Sequence, residues 1–325
     1  MRFALMIEAQ QGLSYDDQLR IARRAEAAGF EAFFRSDHYA SFPGPDDQPA
    51  TDAWTVLAGL ARETRRIGLG VLVSPVTFRH PGAFAKVVTT VDEMSGGRVE
   101  VGVGAGWNLA DHLPLGLAFP SIGERADLLE DELRLLHGLW AGPDGWSFNG
   151  HQVRLEGARF RPRPLDVPGR PRGEAGHRRP RIILGGRGSP RSLRLAARWA
   201  DEFNLSSASP ERAMEAFRHL AEACAAAGRD SREVARSVMT AVLVGRTPAE
   251  VADRRRRLLE QVGAAEGGAW LAERQHRWIH GTPDQVRAMV DRLAAAGTER
   301  IMLQDFLPHD LEMIDLLAEV LLDAG

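Results

Sequence analysis

Short apolar runs and longer amphipathic stretches alternate from one end of the chain to the other. Eight runs read as strands, at residues 3–7, 32–36, 67–73, 99–103, 182–184, 202–205, 238–244 and 301–303. They are nearly continuous in apolar residues rather than alternating with polar ones, as expected of parallel strands covered on both faces. The intervening stretches carry helix-start chemistry. Ser14 can cap a helix whose first turn holds Asp16 and Asp17, and Gly29 ends it. Later starts repeat one device, a hydroxyl cap followed by proline at the first helical position: Ser189-Pro190, Ser209-Pro210, Thr247-Pro248 and Thr282-Pro283. Eight β/α alternations admit a closed barrel or a doubly wound sheet, and the count of eight favours the barrel.

Two segments interrupt this rhythm. Residues 146–153 predict a hairpin turning at Asn149-Gly150, and residues 159–179 a loop rich in Arg, Pro and Gly. The second interruption, about 262–282, carries Trp270 and Trp278 at helical spacing, read as packing or lid residues. The expectation is a single domain over residues 1–325, a (β/α)8 TIM barrel with insertions at about 142–180 and 262–282.

Composition narrows the function classes. The 325 residues hold 41 Lys+Arg against 44 Asp+Glu, a net charge of −3, which argues against a nucleic-acid binder. The only apolar run near the N-terminus, residues 3–7, is too short for a signal peptide, and no run reaches membrane-spanning length, so a cytoplasmic protein without a membrane partner is expected. The single cysteine, Cys224, excludes a disulfide framework or a thiolate metal site, and reads as a small buried helix residue. His276 and His280 have the i,i+4 spacing of a metal pair but no third ligand in pattern, so no metal is expected. Residues 254–257, four arginines in a row, read as a solvated helix face. Lys86 is the sole lysine and lies in the helix after the third strand, a poor place for a Schiff base.

In a parallel barrel the reactive groups stand where strands end. The second strand ends in Arg35-Ser36-Asp37-His38-Tyr39, and the third is Gly68-Leu69-Gly70-Val71-Leu72-Val73, followed by Ser74-Pro75 and Arg79-His80-Pro81. The fourth runs into Gly104-Ala105-Gly106-Trp107-Asn108, and the fifth into Gly185-Gly186-Arg187-Gly188-Ser189. Imidazole titrates near neutrality, which makes His38 a candidate proton-transfer group. Neighbours on a strand point oppositely, so His38 enters the mouth while Asp37 orients backbone or Arg35. The glycines at 185–188 with the helix start at Pro190 suit a phosphate, although the same glycines equally serve a tight strand-to-helix turn. Glu8 and Gln10 end the first strand and face either substrate or solvent. His112 is a second candidate acid, and His80 reads as structural.

In this order, with Asp92-Glu93-Met94-Ser95-Gly96-Gly97-Arg98 leading into residues 101–107, these motifs resemble the luciferase-like monooxygenase family over almost the whole chain, most closely its branch of oxidoreductases using the deazaflavin coenzyme F420. The resemblance implies a flavin or deazaflavin ring over the strand C-termini and a hydride passed between its C5 and a small organic substrate. Asp37, His38 and His112 are the implied catalytic set. Gly70, Val71, Ala105, Gly106, Trp107, Asn108, Gly185, Gly186, Arg187 and Gly188 are the implied cofactor bed, with Gly70-Val71 at a non-prolyl cis peptide behind the ring. It further implies a homodimer. Other members of the family use reduced FMN and oxygen, and that monooxygenase chemistry is the alternative; a non-catalytic flavin-binding relative is a third reading. Sugar-phosphate-oxidising members carry an acidic residue near the position of Trp107 and substrate-phosphate lysines, neither of which this chain matches. The arginines at 159, 161, 163, 170, 172, 178 and 179 form either a solvated loop or an attractor for the polyglutamate tail of the deazaflavin.

Overall fold

All eight expected strands pair into one parallel ring. In this computed structural model, which describes residues 1–173 and 175–322 and only the backbone of 264–267, the ring is formed by eight strands. They are β1 (Arg2–Ile7), β2 (Ala32–Arg35), β3 (Gly68–Pro75), β4 (Val99–Gly104), β7 (Arg181–Gly186), β8 (Glu202–Ser206), β9 (Ala235–Val244) and β11 (Arg300–Asp305). β1 pairs with β11 and β2, and β8 with β9, which closes the barrel. The fold is a (β/α)8 TIM barrel. A short strand β10 (Ile279–Gly281) adds to the upper end of β9.

The helices that alternate with the ring strands are α1 (Tyr15–Ala28), α2 (Ala53–Glu63), α3 (Pro81–Ser95), α4 (Ile122–Ala141), α5 (Pro190–Trp199), α6 (Pro210–Ala226), α7 (Pro248–Gln261), α9 (Pro283–Ala295) and α10 (Leu311–Leu321). Their starts follow the predicted caps. The Ser14 hydroxyl accepts the Asp17 N–H in a capping box, and Ser189, Ser209 and Thr247 each accept the N–H three residues on, with proline following the cap. Glycine supplies the left-handed turn that ends α1 at Gly29. Cys224 is buried in α6 as expected.

The apolar interior has two layers. Phe33, Val71, Val101, Leu184 and Phe203 point outward beneath the helices, while Ala4, Met6, Phe34, Leu72, Ile183 and Met302 fill the barrel itself. At the lower, N-terminal end of the strands the interior is charged. The Arg300 guanidinium meets Glu100 at 2.7 and 2.9 Å, Glu202 at 3.2 Å, and Glu31. The mouth lies at the opposite end.

The first insertion follows α4. Its hairpin, β5 (Trp146–Asn149) and β6 (Arg154–Ala158), does not turn at Asn149-Gly150. Those residues end the first strand and begin a four-residue loop, 150–153. The cause is Asp131 on α4, whose carboxylate accepts the backbone N–H groups of His151, Gln152 and Val153 at 2.7–3.1 Å and draws the loop onto the helix. The arginine-rich stretch then runs beneath the barrel, away from the mouth. Arg170 holds Asp92 and the Val99 carbonyl at the start of β4, and Arg179 holds Asp201 just before β8. Five of its seven arginines pair with aspartates, so it brings no cationic surface to the mouth; Glu174 lies outside the described residues.

The second insertion holds α8 (Ala264–Arg274) between α7 and β10, with Trp270, Trp278 and Phe306 packed as an aromatic cluster. Arg254 in α7 is not solvated: it is buried, donating to Asp310 at 2.9 Å and to the Val244 carbonyl at 2.7 Å. A run of like charges on a helix still has an inward face when a carboxylate waits there.

Candidate active site

The strand ends were the predicted location, and the structure sorts the residues there by direction. Along β1, Ala4 and Met6 point into the barrel, and continuing that alternation brings Glu8 to the floor of the mouth. Its carboxylate accepts the side-chain amides of Gln10, at 2.8 Å, and Gln304 of β11. The Ser36 hydroxyl donates to Gln10 Oε1 at 2.5 Å. The floor is therefore a closed polar network rather than a solvated rim.

The bed beside it comes from β3. Pairing with β4 is regular at Gly70 and Val71 and then gains one residue on β3, because Ser74 rather than Val73 stands opposite Val103. This is a bulge at Leu72-Val73, and the non-prolyl cis peptide lies there, not at Gly70-Val71. The two predicted residues do other work. Gly70 makes room for the Phe34 ring, which a Cβ there would meet at 2.3 Å, and Val71 points outward beneath the helices. Val73 is the bulged side chain, and Gly102, Gly104 and Gly185 line it: Cβ atoms at those positions would stand 3.2, 2.7 and 2.6 Å from its methyl groups. Three glycines on two strands thus serve one protrusion.

His38 and Asp37 part company as alternation requires, but with different partners from those expected. Asp37 is buried and held by Arg79 at 2.6 Å, not by Arg35, whose guanidinium donates to Gln18 and Thr51. This takes Asp37 out of the mouth. His38 stays half-buried, edge-on to the rings of Phe42 (4.6 Å) and Trp107 (5.8 Å). Its Nδ1 lies 2.7 Å from Oδ2 of Asp111. The other oxygen of Asp111 accepts the backbone N–H groups of Tyr39 and Ala40 at 2.9 and 2.8 Å. Burial works against the Asp111 carboxylate, yet the hydrogen bonds from His38 and the two amides hold its pKa below the ordinary value. An ionised carboxylate only accepts, so Nδ1 of His38 carries the hydrogen, and Nε2 bonds to no described residue.

His112 is different. Its Nδ1 lies 2.8 Å from the Asn108 carbonyl and its Nε2 2.7 Å from the Thr77 hydroxyl. A carbonyl only accepts, so Nδ1–H donates to it and Nε2 accepts from Thr77; both nitrogens are committed, and the predicted second acid is a structural pin for its loop. His80 caps α3 by accepting the Gly82 N–H, in keeping with its structural reading. Ala105, Gly106 and Trp107 lie on the rim after β4, and Asn108 caps the short helical turn that leads to Asp111. Trp107 is 68% exposed beside His38.

Two cationic features of the upper rim escaped the sequence. Arg125, in the first turn of α4, is only 7% exposed, and its Nε and one terminal nitrogen find no hydrogen-bond partner among the described residues. Its guanidinium lies 3.7 Å from the centroid of the Phe119 ring. Arg191 ties that turn of α4 to the first turn of α5, through the Gly123 carbonyl and Asp127. An unpaired guanidinium and the helix N-terminus after Gly185–Ser189 therefore share one sector of the rim. Next to it a cavity of about 470 Å³ is lined by Arg187, Arg212, Arg277, His276 and residues 205–209, with no carboxylate among its lining groups. Gly188, at φ +79°, supplies the left-handed residue that the turn before α5 requires. Among the described residues no cluster of His, Cys, Asp and Glu suits a metal ion, and no helix is long and apolar enough to cross a membrane.

The model of the luciferase-like monooxygenase family matches residues 1–303. The chain belongs to that family. An F420-dependent glucose-6-phosphate dehydrogenase of Nakamurella multipartita is 36% identical over 211 residues, 64% of this chain and 56% of that protein, so the match spans little more than half of the relative's length. An FMNH(2)-dependent dimethylsulfone monooxygenase of Pseudomonas putida is 26% identical over 94% of this chain and 87% of that protein. Among solved structures, an F420-dependent secondary alcohol dehydrogenase in complex with an F420-acetone adduct superposes with a TM-score of 0.83 at 19% identity, covering 100% of this chain and 99% of that one. That likeness speaks for the fold. The relatives in the two cofactor classes are named as dehydrogenases and monooxygenases.

Proposed function

We propose that this luciferase-like protein is an F420-dependent oxidoreductase in which His38 exchanges a proton with a small organic substrate as a hydride passes between that substrate and the deazaflavin. The observation that carries the reading is the His38–Asp111 pair. It leaves an imidazole nitrogen at the barrel mouth, beside the bulged Val73 strand, in the tautomer that accepts a proton. When a carbinol is oxidised, the hydride carries off the electron pair of the C–H bond, the hydroxyl proton goes to Nε2, and a carbonyl remains. In reduction His38 returns the proton.

The residues present fit a phosphate-bearing deazaflavin. The orphaned Arg125, the α5 N-terminus and the backbone of residues 185–189 would hold the phosphate. The Val73 bulge, with glycines around it, would support the ring, and Trp107 and Phe42 would exclude water next to His38. Bound there, the deazaflavin would supply a two-electron hydride acceptor or donor.

A second reading, a reduced-FMN monooxygenase, draws support from the relative that matches 94% of the chain. Fluorescence titration of the purified protein with oxidised F420 and, separately, FMN tests the choice. Tighter F420 binding with oxygen-independent bleaching on addition of an alcohol is expected. Tighter FMN binding with oxygen-dependent turnover would transfer the assignment.

A further inference from the structure

We propose that Asp111 is the positioning residue for His38: its carboxylate fixes the imidazole as the Nδ1–H tautomer, so that Nε2 is the base. The sequence offers no sign of this pairing, because the partners lie 73 positions apart on the loops after β2 and β4. The inference extends the proton role given to His38 above and rests on it for its catalytic consequence; the tautomer itself is independent of any cofactor.

The two oxygens of Asp111 divide the work. Oδ1 accepts from the Tyr39 and Ala40 amides, which anchors the chain just beyond His38. Oδ2 accepts from the imidazole at 2.7 Å. The carboxylate is buried at 2% exposure and has given up its hydration, and the three donors stand in for the lost water. Edge contacts from Phe42 and Trp107 close off tilting of the ring. Orientation and tautomer are therefore set before substrate arrives, the condition under which an imidazole works as a base rather than a donor. His112, the next residue, is fixed just as firmly but spends both nitrogens doing so.

Replacing Asp111 by Asn separates the two oxygens. The amide oxygen can still accept from Tyr39 and Ala40, while the amide nitrogen faces Nδ1 as a donor and forces the ring hydrogen onto Nε2. The test is long-range ¹H–¹⁵N correlation NMR of the apo protein labelled in histidine, at pH 8, where an unperturbed imidazole is neutral, with the His38→Ala spectrum identifying the resonance among ten histidines.

The expected result is an Nδ1–H tautomer in the wild type and in Asp111→Glu, and Nε2–H in Asp111→Asn. With it should come a fall in kcat of about 10²–10⁴-fold for Asp111→Asn, unchanged cofactor Kd, and substantial recovery in Asp111→Glu. An Nε2–H wild type, or Asp111→Asn with unaltered tautomer and kcat, would overturn the proposal. Should Asp111→Asn fail to fold, the wild-type and Asp111→Glu spectra still decide it. A tautomer switch in a protein that turns over no substrate with F420 would uphold the positioning role and remove the F420 reading instead.

Discussion

The two ends of the barrel are both charged, and they treat charge in opposite ways. At the lower end Arg300 is almost fully buried and surrounded by Glu31, Glu100 and Glu202, with Arg179–Asp201 and Arg170–Asp92 nearby. Burial opposes ionisation of Glu100, but Arg300 more than offsets it and keeps the pKa low; the surrounding carboxylates likewise raise that of Arg300. At the mouth Arg125 is buried with no hydrogen-bond partner for its Nε and one terminal nitrogen among the described residues, and Nε2 of His38 bonds to no described residue. The lining of the cavity beside β8 holds three arginines and no carboxylate, although Arg212 reaches Glu215 at 2.8 Å outside that lining. A paired charge holds elements together. An unpaired one is a standing cost that a ligand removes, and so marks where ligands bind.

Substitutions at the two ends should separate accordingly. His38→Ala should have the largest effect, lowering single-turnover hydride transfer by about 10²–10⁴-fold, or roughly 3–5 kcal/mol of barrier, with cofactor affinity and melting temperature nearly unchanged. A variant with near-normal rate would remove the contrast at its functional end. Arg300→Leu should instead cost about 3–5 kcal/mol of stability by stranding buried carboxylates, while the fraction that stays folded turns over normally. Urea unfolding with activity measured before the transition distinguishes the two patterns; loss of kcat without loss of stability would contradict the division.

Arg125→Leu sharpens the comparison. A hydrogen bond to a charged group is worth about 1.5–3 kcal/mol, so affinity for a phosphate-bearing cofactor should drop about 10–100-fold, while stability holds or rises because an uncompensated charge is gone. Equal affinities for a cofactor with and without its phosphate in the wild type would place the phosphate elsewhere.

A last effect, on the pH dependence of stability rather than on rate or affinity, concerns a buried acid between the two ends. Glu132 on the inner side of α4 is pushed up to about 8 by burial, against a weaker pull from Arg79. Its folded pKa lies above the unfolded value of about 4.3, so its contribution to stability is complete below pH 4 and is lost as pH rises toward and through 8. Glu132→Gln should flatten the decline in urea midpoint between pH 5.5 and 8.5. An identical decline in wild type and variant would mean that the carboxyl ionises without penalty.

Much of this architecture was legible one element at a time. Apolar runs of strand length, and Ser-Pro or Thr-Pro pairs before helices, depend on neighbours within a few residues, and all eight strands and four such caps stand where the pattern placed them. His38 as a residue of the barrel mouth followed from strand-end position and alternation. Reading failed where a residue's partner came from another strand. Asp37 went to Arg79, His112 to Thr77, and the cis peptide expected at Gly70-Val71 lies at Leu72-Val73, in a bulge whose position is decided by register with β4 and not by β3 alone.

The sequence by itself determined the (β/α)8 barrel, the family and the histidine at the mouth, because periodicity, capping and motif order are local properties that survive in a linear string. Tertiary structure alone decided which charges are satisfied. Whether Arg125 has a carboxylate beside it, whether the seven arginines of the first insertion face the mouth or the floor, and which nitrogen of His38 bears a hydrogen all depend on groups brought together by barrel closure, across separations such as the 73 residues between His38 and Asp111. Burial then gives those meetings their energetic weight, since an ion pair or a fixed tautomer matters most where water cannot substitute for the missing partner.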